Sequence, residues 1–243
     1  MKTPLKKLLK ILTPLTAAVL LLFVSSCNNW LFNEDNTKAT WGTIITSFEF
    51  PEATFPYYII SDDSLLLCPV NHASIADFNP IDGQRVIVYY KPYGSDTTET
   101  NEIQYRKDIT VVQVNLVPTQ DMVYSSQKDT LGTDRVEPQF IWLGGGGLGS
   151  QRHLNIQYTI YASNTDKHKF NLVRDQNLES PMDSEGYYVV EFCHDTKEDP
   201  EYANYTNVIS FPLEGECIGD GVKGLKIKIK TITQGNKEYI LNY

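Results

Sequence analysis

The sequence predicts an all-β protein behind a cleaved N-terminal segment. Apolar and polar residues alternate with a period of two along most of the chain; in Leu154–Tyr161, for example, every second residue is Leu, Ile or Tyr. Such alternation is typical of strands that bury one face. Turn-forming residues separate these segments, and helical periodicity is nearly absent. Short strands punctuated in this way predict a sandwich or a small barrel in each half of the chain.

Residues 1–26 are predicted to be a lipoprotein signal peptide. Four lysines precede or begin an apolar region, and Ile11–Val24 is a run of 14 residues without a charge. This run is shorter than the roughly 20 residues that span a bilayer. It ends in "VSSC", which resembles a bacterial lipobox and predicts acylation of Cys27 with cleavage before it. The alternative is an ordinary signal peptide that leaves Cys27 a plain thiol.

The acidic charge of the chain argues against a nucleic-acid partner. The sequence has 21 Lys and Arg against 30 Asp and Glu, a net charge of −9. Cleavage before Cys27 removes four lysines and no acid, which leaves 17 basic residues and a net charge near −13. Affinity for phosphate backbones and anionic head groups depends on Lys and Arg. We therefore expect the acyl chains on Cys27, rather than a basic surface, to hold the protein on a membrane.

The strands of the first half follow a polar tether at residues 27–39. Asn28–Ala39 has no periodicity and is expected to lift the folded part from the membrane. Pro118 ends the last candidate strand because proline cannot donate a ladder hydrogen bond. The predicted strands and turns are Trp41–Phe50, a hairpin of Tyr57–Ile60 and Leu65–Cys68 around Asp62–Asp63, Asp82–Tyr90, and Ile103–Val117.

The second half begins after a stretch rich in Ser, Thr, Asp and Gln at residues 119–136, which predicts a linker. In "LKIKIK" (Leu225–Lys230) the lysines occupy one face and the apolar residues the other, which predicts a half-buried strand with a solvated face. The predicted strands are His153–Tyr161, Tyr187–Cys193, Asn207–Pro212, Leu225–Thr233 and Glu238–Tyr243.

A glycine-rich stretch, "LGGGGLGS", formally matches a dinucleotide-binding motif through Gly144, Gly146 and Gly149. That motif requires a helix to open on its last glycine, so that the helix N-terminus faces the phosphate. Here the following residues, His153–Tyr161, have the pattern of a strand. We therefore predict that Gly144–Gly149 forms a turn or bulge at the start of the second β domain, with no ligand bound.

The remaining chemistry-bearing residues show no catalytic or metal signature. The four histidines lack the companions of a zinc motif, and no nucleophile motif is present. The prediction is therefore no enzyme, no metal site and no cofactor. After Cys27 three cysteines remain, so at most one disulfide forms within the chain, and Cys193 with Cys217 is the candidate pair. Three buried thiols, including Cys68, are the alternative.

Several segments together resemble the NigD-like lipoproteins of Bacteroidetes. They are the signal ending at Cys27 and the strings "YYIISDDSLLLCP" (Tyr57–Pro69), "DGQRVIVYY" (Asp82–Tyr90), "YYVVEFCHD" (Tyr187–Asp195) and "LKIKIKTITQGNKEYILNY" (Leu225–Tyr243). The resemblance implies an OB-like β-barrel, assigned to residues 40–118, and an immunoglobulin-like β-sandwich, assigned to residues 137–243. The family takes its name from a bacteriocin gene cluster, and its resemblance supplies no catalytic residue.

These observations predict a lipid-anchored, non-enzymatic binding or accessory module of the bacterial cell envelope. The ligand is open: an envelope protein or a glycan is expected, and the loops Asp62–Ser64 and Asn71–Gly83 are the places to look. The outer membrane is the expected location, with the periplasmic and surface faces both open. The alternative function is bacteriocin immunity or a toxin-accessory role by protein–protein contact. A surface glycosidase or esterase would need two carboxylates in one pocket.

Overall fold

A computed structural model describes residues 36–46, 55–72, 78–94 and 106–243. The predicted signal peptide, Cys27 and most of the tether lie outside these residues. Thr37–Tyr243 forms one compact unit, which contains a barrel and a sandwich. Its described part consists of thirteen strands and a few short 3-10 turns, with no α-helix. The all-β prediction is confirmed.

The first module is a closed five-stranded barrel with the strand order β1-β2-β3-β5-β4. All neighbours are antiparallel except β3 and β5, which pair in parallel. A five-stranded Greek-key barrel of this kind is OB-like, so the structure confirms the predicted barrel. The strands are β1 (Lys38–Ile45), β2 (Tyr58–Ser61), β3 (Leu66–Pro69), β4 (Arg85–Pro92) and β5 (Arg106–Leu116).

Alternation along the strands fills the barrel. On β4, Val86, Val88 and Tyr90 point inward, while Ile87 and Tyr89 between them are less buried. β-branched and aromatic residues suit such a half-buried pleated surface. The inward residues form a single core cluster: Ile44, Tyr57, Ile59, Leu67, Val86, Val88, Tyr90, Ile109 and Val111.

The second module is a two-sheet sandwich with the strand orders β13-β12-β10-β9-β6 and β11-β8-β7. The larger sheet contains β6 (Val123–Ser125), β9 (Lys169–Asp175), β10 (Tyr187–Asp195), β12 (Gly224–Thr231) and β13 (Gly235–Asn242). The small sheet contains β7 (Glu137–Gly145), β8 (Arg152–Ala162) and β11 (Ala203–Leu213). The predicted sandwich is confirmed. Its larger sheet begins inside the predicted linker, because β6 pairs in parallel with β9.

The sandwich core lies between these sheets. From β8 it receives Leu154, Ile156, Tyr158 and Ile160, the four residues that the alternation placed on one face. The facing layer comes from the larger sheet, in which Tyr188, Val190, Phe192, Leu225, Ile227 and Ile229 are all buried.

Cys193 and Cys217 lie on opposite sides of the larger sheet, and both are free, buried thiols. Val190 and Phe192 on β10 face the core, so Cys193, one residue further, faces away from it. Cys217 lies within the core. The predicted disulfide is therefore wrong, and the alternative of buried thiols describes Cys68, Cys193 and Cys217. Burial raises the pKa of the Cys193 thiol to about 12.

Candidate functional site

Polar side chains of the barrel contact two glycines of the sandwich where the two modules meet. We call this group the junction cluster; it consists of Thr43, Asp62, Arg85, Gly144 and Gly145. The first three belong to the barrel and the two glycines to the end of β7. Because Gly144 and Gly145 belong to the glycine-rich stretch, the geometry of the cluster shows what this stretch does.

The centre of the junction cluster is a bidentate ion pair. Arg85 opens β4 and its side chain is fully buried. Its Nη1 donates to Asp62 Oδ1 at 2.6 Å and to Thr43 Oγ1 at 3.1 Å, and its Nη2 donates to Asp62 Oδ2 at 2.8 Å. Asp62 Oδ1 also accepts the backbone N–H of Gly145 at 2.9 Å. One barrel carboxylate therefore joins a buried barrel cation to the backbone of the sandwich.

The glycines allow the two modules to approach closely. A Cβ atom on Gly144 would overlap Asp62 Oδ2 and lie 2.7 Å from Arg85 Nη2. A Cβ on Gly147 would overlap Ser64 Oγ in the barrel hairpin turn. Gly145 and Gly146 have φ values of 71° and 80°, a region that favours glycine. The stretch passes through a single 3-10 turn, Gly147–Gly149, into β8 without an α-helix, and the Asp62–Ser64 turn of the barrel packs against it.

Aromatic rings extend the same contact. The Trp41 ring on β1 meets the Trp142 ring on β7 edge to face, with 5.2 Å between centroids and 80° between planes. The Arg85 guanidinium carbon lies 5.8 Å from the centre of the Trp41 ring. Edge-to-face pairs and cations over aromatic rings both attract, so these contacts add stability around the ion pair.

The segment that connects the two modules is hydrogen-bonded to both of them. Gln84 Nε2 in the barrel donates to Val117 O at 2.7 Å and to Thr119 Oγ1 at 3.2 Å. Thr119 forms a parallel bridge with Ser210 on β11. Ser210 Oγ in turn donates to Asn155 Oδ1 at 2.9 Å, and both residues are fully buried. The barrel is therefore held on the small sheet at two places.

His153 on β8 is a buried neutral imidazole beside this junction. Its Nδ1 lies 3.0 Å from Gln151 O. Burial, together with the nearby charge of Arg85, lowers its pKa to about 4. The ring is therefore uncharged at neutral pH and contributes no second cation next to Arg85.

Acid is expected to destabilise the protein through His153. Its pKa is 6.5 when unperturbed and about 4 in the folded chain, so the unfolded state binds the proton more tightly. The stabilisation is complete above pH 6.5 and is lost as the pH falls through 4. The shift corresponds to about 3 kcal/mol. Urea unfolding from pH 7.5 to 4 should show a steeper loss of unfolding free energy in the wild type than in His153→Gln; equal losses would contradict it.

A second buried cluster lies at the end of the sandwich where β8 and β10 finish. His168 Nδ1 lies 2.8 Å from His194 Nε2, and His168 Nε2 lies 3.5 Å from Asp199 Oδ2. Asp199 Oδ2 also accepts the backbone N–H groups of Ser163 and Asn164 at 2.6 and 2.8 Å. These hydrogen bonds, led by that from Asn164, lower the Asp199 pKa to about 2.

The hydrogen bonds assign the protons of this histidine pair. His194 Nδ1 is 2.8 Å from Arg135 O, which only accepts, so Nδ1 carries hydrogen. Burial lowers the pKa of His194, so its Nε2 is unprotonated and accepts from His168 Nδ1. The cluster thereby connects three loops. Among the described residues no group of three or more His, Cys, Asp or Glu side chains is arranged to hold a metal.

The described parts of the two loops at which a ligand was expected, Asp62–Ser64 and Asn71–Gly83, make contacts within the fold. The Asp62 carboxylate is occupied by Arg85 and Gly145 N, and Ser64 packs on Gly147. The Asn71 side chain pairs with the backbone of Val111 through bonds of 2.8 and 2.9 Å. Residues 73–77 of the second loop lie outside the described residues. Arg85 was not predicted as a site residue; its signal in the sequence is a single arginine at the head of the apolar strand "RVIVYY".

This geometry defines a two-module β protein: an OB-like barrel is fixed on a sandwich through a buried ion pair and a glycine-lined contact. The sequence profile of the NigD-like C-terminal beta sandwich domain matches residues 116–243. This is more than half of the chain, and the chain belongs to the NigD-like family. The match includes β6, so it begins close to the crossing at Pro118.

Solved structures share this fold at low sequence identity. The chain is similar to a protein of unknown function from Bacteroides vulgatus, with a TM-score of 0.65, 20% identity, and coverage of 85% of this chain and 90% of the other. A candidate toxin-related protein from Parabacteroides distasonis has a TM-score of 0.63 and 21% identity, with coverage of 85% and 93%. A NigD-like immunity protein from Bacteroides caccae has a TM-score of 0.55 and 18% identity, with coverage of 87% of this chain and 94% of the other.

No curated protein matches the chain significantly. Within the described residues, no helix has the length and apolar character needed to cross a membrane.

Proposed function

We propose that the chain is a lipid-anchored accessory protein of the bacterial cell envelope that acts by binding another protein and not by catalysis. One observation carries this proposal: in the two buried clusters, the carboxylates of Asp62 and Asp199 are bonded to neighbouring side chains and to backbone N–H groups. Arg85 and Asp62 join the two modules. His168, His194 and Asp199 join loops of the sandwich. These contacts hold the two modules and the loops in place, which makes the chain a rigid scaffold with an exposed surface.

Bacteriocin immunity is the specific form of this role that we favour. Its support is the family membership together with the similarity to structures named as a NigD-like immunity protein and a candidate toxin-related protein. An immunity protein needs affinity for a toxin or its receptor and no chemistry of its own. A stable two-module scaffold meets that requirement.

Deletion of the gene tests the function. Cells that lack the chain should become more sensitive to bacteriocins of neighbouring strains, and the wild-type gene should restore resistance. If other envelope phenotypes appear without a change in sensitivity, the accessory role stands and immunity fails. If deletion changes neither, the proposal fails.

The anchor is tested separately through Cys27. We expect wild-type protein in the membrane fraction, with mass spectrometry showing an acylated N-terminal Cys27. Cys27→Ala should move the protein to the soluble fraction, because the acyl chains supply the membrane affinity. Ser26→Ala is a matched control that keeps a small residue before the cysteine and should remain membrane-bound. A Cys27→Ala protein that stays in the membrane would refute the lipid anchor.

A further inference from the structure

Arg174 is buried like Arg85, but no counter-ion for it is found among the described residues. The residue is 7% exposed, and its Nη1 is buried without a hydrogen bond of normal geometry to the described chain. The ion pairs between described residues do not include it. Arg85, by contrast, shares both Nη atoms with the carboxylate of Asp62. A buried cation without a partner is costly, so its presence requires an explanation.

Strand alternation directs Arg174 towards the inside of the sandwich. Leu172, two residues earlier on β9, belongs to the sandwich core, so the side chain of Arg174 lies on the same face. Val173 between them is not part of that core and pairs with Glu191 on β10. On its other side Arg174 pairs with Tyr124 of β6, the edge strand of the larger sheet. The guanidinium is therefore directed between the sheets, beside an edge strand.

A buried tyrosine hydroxyl lies near this guanidinium. Tyr188 on β10 is fully buried in the sandwich core, and its hydroxyl makes no hydrogen bond of normal geometry to the described chain. Burial raises the pKa of Tyr188, the neighbouring Tyr124 and Cys217 raise it further, and the positive charge of Arg174 opposes the rise. The charge of Arg174 thus acts on this hydroxyl, which places the two groups in one neighbourhood.

We call Tyr124, Arg174 and Tyr188 the arginine site, and its donors suit a carboxylate. A guanidinium binds a carboxylate through two parallel hydrogen bonds, and the pair of Arg85 with Asp62 is an example within the same chain. Tyrosine hydroxyls can donate a further bond. The single positive charge matches a carboxylate better than a phosphate, whose charge at neutral pH is about −1.5 to −2.

We propose that the arginine site binds a carboxylate group, which pairs with the Arg174 guanidinium and accepts a hydrogen bond from the Tyr188 hydroxyl. The near-complete burial of both residues favours a group as small as this one. Its route passes Tyr124, which is 50% exposed on an edge strand of three residues. A small free carboxylate and the terminus of a polypeptide present the same group. Neither the lipid anchor nor the immunity role depends on this site, so it goes beyond the proposed function.

Arg174→Met tests whether the cation lacks a partner within the chain. Without added carboxylate, the purified variant should unfold at the wild-type temperature or above it, because the substitution removes an uncompensated buried charge. Arg85→Met is the matched comparison and should unfold at a lower temperature, because it leaves Asp62 without its cation. An unfolding temperature of Arg174→Met clearly below that of the wild type would show that the chain already satisfies this arginine, and would overturn the inference.

Titration of the purified full chain with acetate, followed by NMR at constant ionic strength, measures the binding. We expect saturation with a millimolar Kd, since a ligand of so few atoms gains little free energy. Arg174→Met should abolish binding, and Tyr188→Phe should raise the Kd about 10-fold through the loss of one hydrogen bond to a charged group. Arg135→Met removes the same charge at an exposed position, and should leave the Kd within about twofold.

Two further probes identify the source of the carboxylate. N-acetylglycine carries the carboxylate of a chain terminus, and N-acetylglycinamide is its uncharged counterpart, which should not bind. If N-acetylglycine binds at least about 10-fold more tightly than acetate, the site takes a polypeptide terminus; equal or weaker binding assigns it to a free carboxylate.

The remaining outcomes contradict a carboxylate site. They are no binding of acetate to the wild type, binding of phosphate as tight as that of acetate, binding of the amide, and acetate binding that persists in Arg174→Met. Because these measurements use purified protein and no toxin, their failure leaves the proposed function standing, and a deletion without phenotype leaves the arginine site standing.

Discussion

Asp62→Ala is expected to lower the free energy of unfolding by about 3–5 kcal/mol. The substitution leaves the guanidinium of Arg85 fully buried without its carboxylate, and removes the acceptor of the Gly145 N–H. An uncompensated buried charge is among the most destabilising changes a single substitution makes. Against a total stability of typically 5–15 kcal/mol, this loss should be plain in urea unfolding.

Two controls separate the ion pair from general damage. In the double variant Asp62→Ala with Arg85→Met no buried cation remains, so the combined loss should be clearly smaller than the sum of the two single losses. Glu238→Ala removes an exposed partner of Lys228, with 4.0 Å between charged atoms, and should cost no more than about 0.5 kcal/mol. A loss below about 1 kcal/mol for Asp62→Ala would contradict the role given to the pair.

Gly144→Ala is expected to cost about 3 kcal/mol, at the upper end of what overpacking costs. The added methyl would overlap Asp62 Oδ2, and Arg85 Nη2 and Asn155 Nδ2 also lie within 3 Å of it at 2.7 and 2.8 Å. Asp62 Oδ2 and Arg85 Nη2 cannot withdraw without breaking the ion pair of the junction cluster. Weakening the junction should also separate the unfolding of barrel and sandwich, which calorimetry would record as two transitions.

Gly219→Ala is the matched control for this substitution. Gly219 has an ordinary φ of −71°, and a Cβ there would meet no atom closer than 3.4 Å. It should change the unfolding free energy by no more than about 0.5 kcal/mol. In the Asp62→Ala background the methyl on Gly144 gains room, so its cost should shrink. Strict additivity of the two substitutions would show that the glycine is not required by the ion pair.

Much of the fold could be predicted from the sequence because its signals are local. The alternation along Leu154–Tyr161 reports which side of a strand is buried, and the structure places it within β8 with the expected residues in the core. Turn residues around Asp62 marked the hairpin between β2 and β3 in the same way. β6 was not predicted because its three residues are too few to show a two-residue period.

The candidate site could not be predicted because its contacts are not local. Asp62 and Gly145 are 83 residues apart in sequence, and His168 and His194 are 26 apart. The disulfide prediction failed for a related reason: spacing along the chain does not reveal that Cys193 faces away from the core in which Cys217 is buried.

The glycines of "LGGGGLGS" illustrate the difference between what the sequence predicts and what depends on the fold. The residue pattern alone predicts that a strand follows them, and therefore that no α-helix N-terminus is present to bind a phosphate. Their role became visible in the folded chain, where β7 and the turn after it pass so close to Asp62 and Ser64 that a Cβ at Gly144 or Gly147 would collide with the barrel. Strand periodicity can be recognised from neighbouring residues. Close contact between the two modules instead depends on which distant segments of the chain meet after folding.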